Sequence, residues 1–585
     1  MPMAINIDIN DIDTSSPEFQ DALQIINYSR RSLFLTGKAG TGKSTFLHYI
    51  CNTTKKKYVV LAPTGIAAIN VGGSTLHSFF KLPFFPLLPN DSRFSEKNIK
   101  GTLKYGKART RMLREVELII IDEISMVRAD IIDFIDKVLR IYTRNWNEPF
   151  GGKQLLLVGD VYQLEPVVKE DDRRLLSPFY SNFFFFNAKV FSQMQLVSIE
   201  LHKVYRQKDK NFVSILDKIR DSTAGMAELQ QLNTRVGAKI CHEDGNLAIT
   251  LATRRDVVDY INEQQLAKLP GDIVTFTGEI EGEFPESSMP TPMELQLKVG
   301  AQIIFIKNDM EKRWVNGTLG VIDAIDEEER KVYVITEDGN EWEIGQDAWS
   351  NMRYTFNEKE NKIEEEELGI YKQLPLRLSW AITVHKSQGL TFNHVNIDLT
   401  GGVFAGGQTY VALSRCTSME GLSLNEPIRR DEIFVQKEIV NFAQTYNNKT
   451  NISKALSEGK ADKEYHDAVT SFNEGEYKDF LDHLFIAIHS RYDIEKPIAK
   501  RFIISKLRSI THLKEQIKNL QCELDSKQKL LKRLSAEYTL MGKECEREHM
   551  NKAAIKNYNK ALELYPDALE PKKRIEKLEK KSKNE

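Results

Sequence analysis

Gly37 to Thr45 reads GKAGTGKST and follows directly on the apolar run Leu33–Phe34–Leu35. A G-x-x-x-x-G-K-[ST] segment in that position sets a strand before it and a helix after it. Its backbone N–H groups then close around phosphate oxygens. Gly37, Ala39, Gly40, Thr41 and Gly42 supply that loop, Lys43 reaches the β/γ-phosphates, and the Ser44 hydroxyl, with Thr45 beside it, is placed to ligate Mg²⁺. The segment implies a bound nucleoside triphosphate with Mg²⁺ and leaves open what its hydrolysis drives.

The surrounding sequence says what holds the loop. From about residue 20 to 230, short apolar runs alternate with helical patterns: SLFLTG, KYVVLAPT, ELIIIDE, KQLLLVGD and MQLVSIEL. Near-continuous Val, Ile and Leu is the pattern of strands buried on both faces. The expected fold class is therefore α/β, a doubly wound parallel sheet with function at the carboxyl ends of its strands. Residues 81–107, proline-rich and then basic, interrupt the pattern as a small insertion. A second α/β unit starts near LAITLAT, is interrupted at about 301–375, and resumes with SWAITVHKSQG and HVNIDL. The interruption alternates in short runs joined by Gly, Asn and Asp turns, which predicts a small antiparallel barrel. KIEEEE at 362–367 is expected to be a solvated acidic loop. The expected domains are 1–230, 231–430 and a helical tail over 431–585.

Charge narrows the partners only locally. The net charge is −2; residues 431–585 hold 30 Lys+Arg against 26 Asp+Glu, and residues 1–430 hold 51 against 57. Nucleic-acid binding then needs local patches rather than a global field. Five widely spaced cysteines fit neither a disulfide framework nor a zinc cluster, so a reducing compartment is expected. The acidic N-terminal stretch shows no export or organelle pattern, and no run reaches a membrane span. The expected setting is cytoplasmic, nucleoid-associated in a bacterium, with no membrane partner. In the tail, positions 510, 513, 517, 520, 524, 527, 531, 534, 538 and 541 step by 3 and 4, and all but Lys527 are apolar or aromatic. This is a long amphipathic helix or coiled-coil seam. Ala554, Tyr558, Ala561 and Pro566, with Gly542 upstream, have the spacing of one tetratricopeptide repeat, which needs a neighbour to bury its face.

The chemistry concentrates at predicted strand ends. Asp122 in IIIDEISM is placed to hold the metal, and Glu123 to polarise the attacking water. Gln163 in GDVYQLEPV could bond the γ-phosphate or the lytic water. Arg206 in KVYRQ and Arg415 in ALSRCTS are the candidate arginine fingers. If both come from or beside the second lobe, nucleotide sits between the lobes. Thr64, Gly65, His77 and Phe79 in APTGIAAINVGGSTLHSFF suit phosphate contact and base stacking, with Phe79 and Phe80 as core residues the alternative. His385, Lys386 and Ser387 in TVHKSQGLTF and Asn316 in WVNGTLG complete the DNA-facing set, and Gly389 joins the nucleotide side.

With these segments in order, the chain resembles superfamily 1 helicases of the 5′→3′, RecD-like branch, and most closely the Pif (petite integration frequency) family. Its motifs run from Pro17 to Gly421; EPFGGKQLLLVGDVYQLEPV, LKVGAQIIFIKND, VNGTLG and AITVHKSQGLTF carry the specificity. The resemblance implies that Gln20 in PEFQDAL reads adenine. It implies two RecA-like lobes, a wedge subdomain at about 81–107 and a barrel of SH3 type in the second lobe. It also implies translocation on single-stranded DNA and unwinding of duplex, forked and G-quadruplex DNA in genome maintenance, by a monomer. A DNA-stimulated ATPase that remodels protein–DNA complexes, with the tail as a protein-binding adaptor, is the alternative. Glu165 departs from the family's Q-L-P-P-V, where proline is usual.

Overall fold

The computed structural model describes residues 12–83, 85–205, 209–239, 247–309, 311, 313–357, 362–492 and 497–582. They form two compact units, Met1–Ala487 and Ile488–Glu585.

The first unit is built on two parallel sheets. The first sheet has strands β1 (Leu33–Gly37), β2 (Tyr58–Ala62), β3 (Ser74–Thr75), β4 (Leu118–Ile121), β5 (Gln154–Val158) and β6 (Val197–Leu201), in the order β3-β2-β4-β5-β1-β6. Every pairing is parallel. Alternate residues feed different cores. Phe34, Ile119 and Ile121 enter one, and Leu33, Leu35, Leu118 and Ile120 enter the other. That is why the strands read as unbroken apolar runs. The second sheet is also parallel, with Ala381–Thr383, Ile249–Ala252, Val395–Asp398 and Leu422–Leu424 in that order.

Between the strands of the second sheet lies the expected antiparallel insertion. Glu341–Ile344, Lys331–Thr336, Leu319–Asp326, Gln302–Phe305 and Leu376–Leu378 form one five-stranded sheet, and no pairing among the described residues closes it into the expected barrel. Phe305 stacks on Trp314 at 4.5 Å in its core. The acidic segment corrects the expectation of a loop. Lys362–Gln373 is a strand, paired over its whole length with Asp347–Asn357 and at its base with Glu279–Gly282. Buried Trp349 and Tyr371 anchor that base, so the acidic run extends a ladder already nucleated.

Residues 81–107 are tied to the first lobe. Leu82, Leu87, Phe94, Ile99 and Leu103 are buried in its core, and the Phe94 ring meets Phe134 edge-on at 4.9 Å. The chain also returns to this lobe after the second. Ile439 and Phe442 join one face of the first sheet, and Ala455 joins the other. Arg31 pairs with Glu458 at 2.6 Å, and the Phe186 and Phe442 rings stack at 4.2 Å. The helices Lys437–Ala443 and Lys449–Glu474, read from sequence as the start of the tail, therefore complete the first lobe's packing.

In the second unit, the 51-residue helix Pro497–Arg547 packs its C-terminal end on Asn551–Leu564. A Cβ on Gly542 would lie 2.4 Å from the Tyr558 ring, the close approach that the repeat spacing requires. Leu569–Ser582 supplies Leu578 and Ile575 to the same small core, the neighbour that one repeat needs. No helix among the described residues is long and apolar enough to cross a membrane.

Candidate functional site

β4, β5 and β1 are adjacent in the first sheet, so the segments leaving their carboxyl ends share one edge. They line a cleft of about 490 Å³, within the size range of nucleotide pockets. Gly42, at φ 87°, caps the helix Lys43–Thr53 and opens its N-terminus to the cleft. Lys43 Nζ donates to Gly37 O at 2.7 Å and to Lys38 O at 3.0 Å, which folds the loop back on itself. Asp122 and Glu123 line the same cleft. Burial raises both carboxyls above the usual carboxylate range. Asp122 raises Glu123 further, and Lys43 opposes the shift in each. Glu123 sits at φ 49°, in the left-handed region, which turns the chain sharply at the strand end.

The second lobe closes the cleft. Gln388 Nε2 donates to Glu123 Oε2 at 2.8 Å and to Gln163 Oε1 at 3.3 Å. Tyr410 accepts from the Ala39 N–H of the phosphate loop at 3.0 Å. Arg415 is buried at the cleft wall, its guanidinium donating to Val411 O at 3.0 Å and Leu390 O at 3.1 Å. Gly407 lies so close to the segment that follows β5 that a Cβ would fall 2.1 Å from Gln163 O. Glu165, the departure from the family pattern, accepts from the Gly406 N–H at 3.3 Å and from Gln436. An acidic side chain thus bridges the lobes where the family more often has a ring.

Gly37 closes the strand into the loop, where a Cβ would clash with Thr41 Oγ1 at 2.5 Å. Ala39, Gly40, Thr41, Lys43, Ser44, Thr45, Asp122, Glu123, Gln163, Gly389 and Arg415 all line the cleft. Gln20 does not line it; it directly follows the lining residue Phe19, and its Nε2 donates to Thr14 O at 2.8 Å. Arg206 lies outside the described residues, although Tyr205 beside it lines the cleft. Ser44 and Asp122 offer a hydroxyl and a carboxylate on the same cleft, the hard oxygen donors that suit Mg²⁺ when phosphates and water complete its shell.

Three contributors carry little local signal. Gln388 lies inside TVHKSQGLTF, yet its role follows only from the lobes' approach. Tyr410 sits on the buried helix Gln408–Leu413. Arg220, almost fully buried, pairs with Asp160 at 3.1 Å and Glu200 at 3.0 Å and lies 4.2 Å over the Tyr162 ring. It fixes the segment that carries Gln163.

The expected DNA-facing residues divide. Asn316 and Lys386 line a second, smaller cleft with Asn70, Arg377 and Gln388. Asn316 Nδ2 reaches Asn70 Oδ1 at 3.4 Å, so the cleft spans both lobes. Thr64 is exposed and caps the helix Gly65–Asn70 beside it; Gly65 approaches Ser288. His385 stacks on Phe404 at 6.3 Å, and burial lowers its pKa. His77 is half-buried, its pKa lowered by burial and by Arg128. Two residues correct the expectation. Phe79 is 3% exposed and packs edge-on against Phe80 at 4.8 Å, so it cannot stack on a base. Ser387 is fully buried, its hydroxyl donating to Val384 O at 2.8 Å, so it positions the turn instead of meeting a ligand. Arg377 was not singled out in the sequence. Its Nε has no hydrogen-bond partner among the described residues.

Residues 18–229 match the PIF1-like helicase family. Human ATP-dependent DNA helicase PIF1 is 35% identical over 401 residues, 67% of this chain and 58% of that protein. The match thus spans little more than half of the curated relative's length. The crystal structure of Bacteroides sp. Pif1 in complex with ADP-AlF4 superposes with a TM-score of 0.68 at 39% identity, covering 74% of this chain and 97% of that one. Bacteroides Pif1 bound to single-stranded DNA gives a TM-score of 0.56 at 39% identity, covering 75% and 99%. With the phosphate loop at the end of one parallel sheet, a second lobe reaching it through Tyr410, and a relative matched over nearly its whole length, the chain belongs to the PIF1-like helicase family.

Proposed function

We propose that this chain is an ATP-dependent DNA helicase. It moves 5′→3′ on single-stranded DNA and unwinds duplex, forked or G-quadruplex DNA in genome maintenance. The observation that carries the reading is Gln388. It lies two residues after Lys386 of the second cleft and bonds both Glu123 and Gln163 of the first. One turn thus touches the groups that would orient the attacking water and the groups that would hold the DNA. The relatives' names and bound nucleotide and DNA support the same reading.

In this proposal the phosphate-loop amides and Lys43 hold the β- and γ-phosphates of ATP. Ser44 and Asp122 hold Mg²⁺, which neutralises phosphate charge when bound. Glu123 accepts a proton from the attacking water, while Gln163 and Arg415 sense the γ-phosphate. Closure over nucleotide grips single-stranded DNA between Thr64, Asn70, Asn316 and Lys386. Loss of the γ-phosphate releases the closure, and the lobes advance by a step on the strand.

Strand separation of 5′-tailed, 3′-tailed, forked and G-quadruplex substrates tests this directly. Unwinding is expected with 5′ tails and ATP; activity confined to 3′ tails, or none, sinks it. Lys43→Ala should abolish hydrolysis with an unchanged circular dichroism spectrum, and full ATPase activity in that variant refutes the site. The wedge assigned to residues 81–107 is tested at its exposed tip, where Arg93 lies 4.5 Å over the Phe85 ring. Phe85→Ala should lower unwinding and spare translocation. Equal loss of both removes the wedge role.

A further inference from the structure

The long helix Pro497–Arg547 carries an apolar seam that no described residue of its own unit covers. Every residue from Thr511 to Arg533 is exposed, and Leu513, Ile517, Leu520 and Leu524 are each more than half exposed. The neighbouring helix packs farther along, on the turn of Ser535, whose hydroxyl donates to Ala561 O at 2.7 Å, and on Gly542. Long exposed leucine rows are costly in water, and one repeating every 3.5 residues is satisfied by another helix of the same period.

We infer that this seam is a self-association surface, and that a second copy of the chain occupies it as a parallel, in-register, two-stranded coiled coil over residues 510–534. The identities choose the occupant. Ile510, Ile517, Leu524 and Leu531 take the a positions, and Leu513, Leu520, Lys527 and Leu534 take the d positions. In the first two heptads β-branched Ile510 and Ile517 at a with Leu513 and Leu520 at d favour two parallel strands, and Leu524 and Leu531 at a continue the apolar seam. The flanking charges do not oppose this arrangement. The flanking pairs a parallel dimer would form are Ser509 with Lys514, Gln516 with Gln521 and Glu523 with Gln528, none of like sign. Lys527 marks the register at a cost in stability: in-register parallel pairing confines both ammonium groups to one layer, where they repel, whereas antiparallel pairing over the same residues sets each against Ile517 and interrupts two layers. The basic residues Lys518, Lys529, Lys532 and Arg533 fall outside the seam and stay solvated. A dimer departs from the monomer expected of the motor segments alone. It would tether two motors, raising the local concentration of each about the other.

Sedimentation velocity of the full chain at micromolar concentration tests this. A dimer is expected, halved in mass by the double substitution Ile517→Glu with Leu520→Glu. Glutamate is a good helix former and both sites are exposed, so helix content should not change. Leu513→Cys should form a disulfide-linked dimer under mild oxidation, because parallel pairing sets residue 513 against itself. A monomeric wild type, or a dimer that survives the double substitution, overturns the proposal. A dimer that Leu513→Cys fails to link overturns the parallel arrangement. Wild-type monomer with DNA affinity weakened by the double substitution reassigns the seam to nucleic acid.

Discussion

Gln388 and Arg220 act on the cleft in different ways. Gln388 donates from the second lobe to a buried carboxylate and to the amide of Gln163. Gln388→Ala leaves Glu123 without that donor and free to reorient. We expect at least about a tenfold loss in kcat, ~1.4 kcal/mol of barrier, with little change in affinity for nucleotide. Single-turnover hydrolysis beside nucleotide titration checks this, and a rate within twofold of wild type contradicts it. Arg220 is structural: its guanidinium meets Asp160 and Glu200 where water is excluded. Arg220→Ala strands two acidic groups and should cost about 3–5 kcal/mol, with Arg220→Met costing less. All five tryptophans precede residue 488, so denaturant unfolding followed by tryptophan fluorescence reports on this unit. The phosphate loop and the Asp122–Glu123 pair are legible in sequence because their geometry is local. Arg220 is not, because its partner Asp160 is brought to it only by the fold. Phe79 was ambiguous for a related reason. Its side chain points into the core or out of it depending on how a five-residue helix sits, and spacing over so short an element does not decide that.

At the scale of elements, the strands of the first sheet were readable where burial on both faces made them continuous. β3, two residues long, offered no pattern to read. Over Lys362–Gln373 a run of glutamates suggests a solvated loop, while the pairing that makes it a strand comes from Asp347–Asn357. The short helix Gln408–Leu413 gives the sharpest test at this scale. Its capping residue Gly407 holds φ at 81° and leaves no room for a Cβ against Gln163 O and Tyr162 O. Gly407→Ala combines backbone strain with a main-chain clash across the lobes. We expect the lobes to stand apart, the ATPase rate to fall by at least about tenfold, ~1.4 kcal/mol, and the circular dichroism spectrum to stay unchanged. Small-angle scattering with a non-hydrolysable nucleotide should show no compaction. Wild-type compaction would rule this out.

For the whole molecule, the path of the chain matters more than the boundaries suggested by composition. A cut at residue 430, where charge begins to shift, would strip Ile439, Phe442, Tyr446 and Ala455 from the first lobe. We expect a 1–430 fragment to aggregate or to melt well below the full chain, and a 1–487 fragment to fold and retain ATPase activity. Thermal unfolding of both fragments checks this; equal midpoints would show that the returning helices are dispensable. The same path bears on synthesis. The last strand of the first sheet ends at Leu201, yet the helix bearing Glu458 must emerge before that lobe is sealed. At about 5–20 residues per second, the roughly 250 intervening residues take on the order of 13–50 s. For that interval a finished sheet waits on the ribosome with both faces incompletely covered, while the second lobe forms between its halves. Ribosome pausing or chaperone supply between these points should govern the yield of active protein.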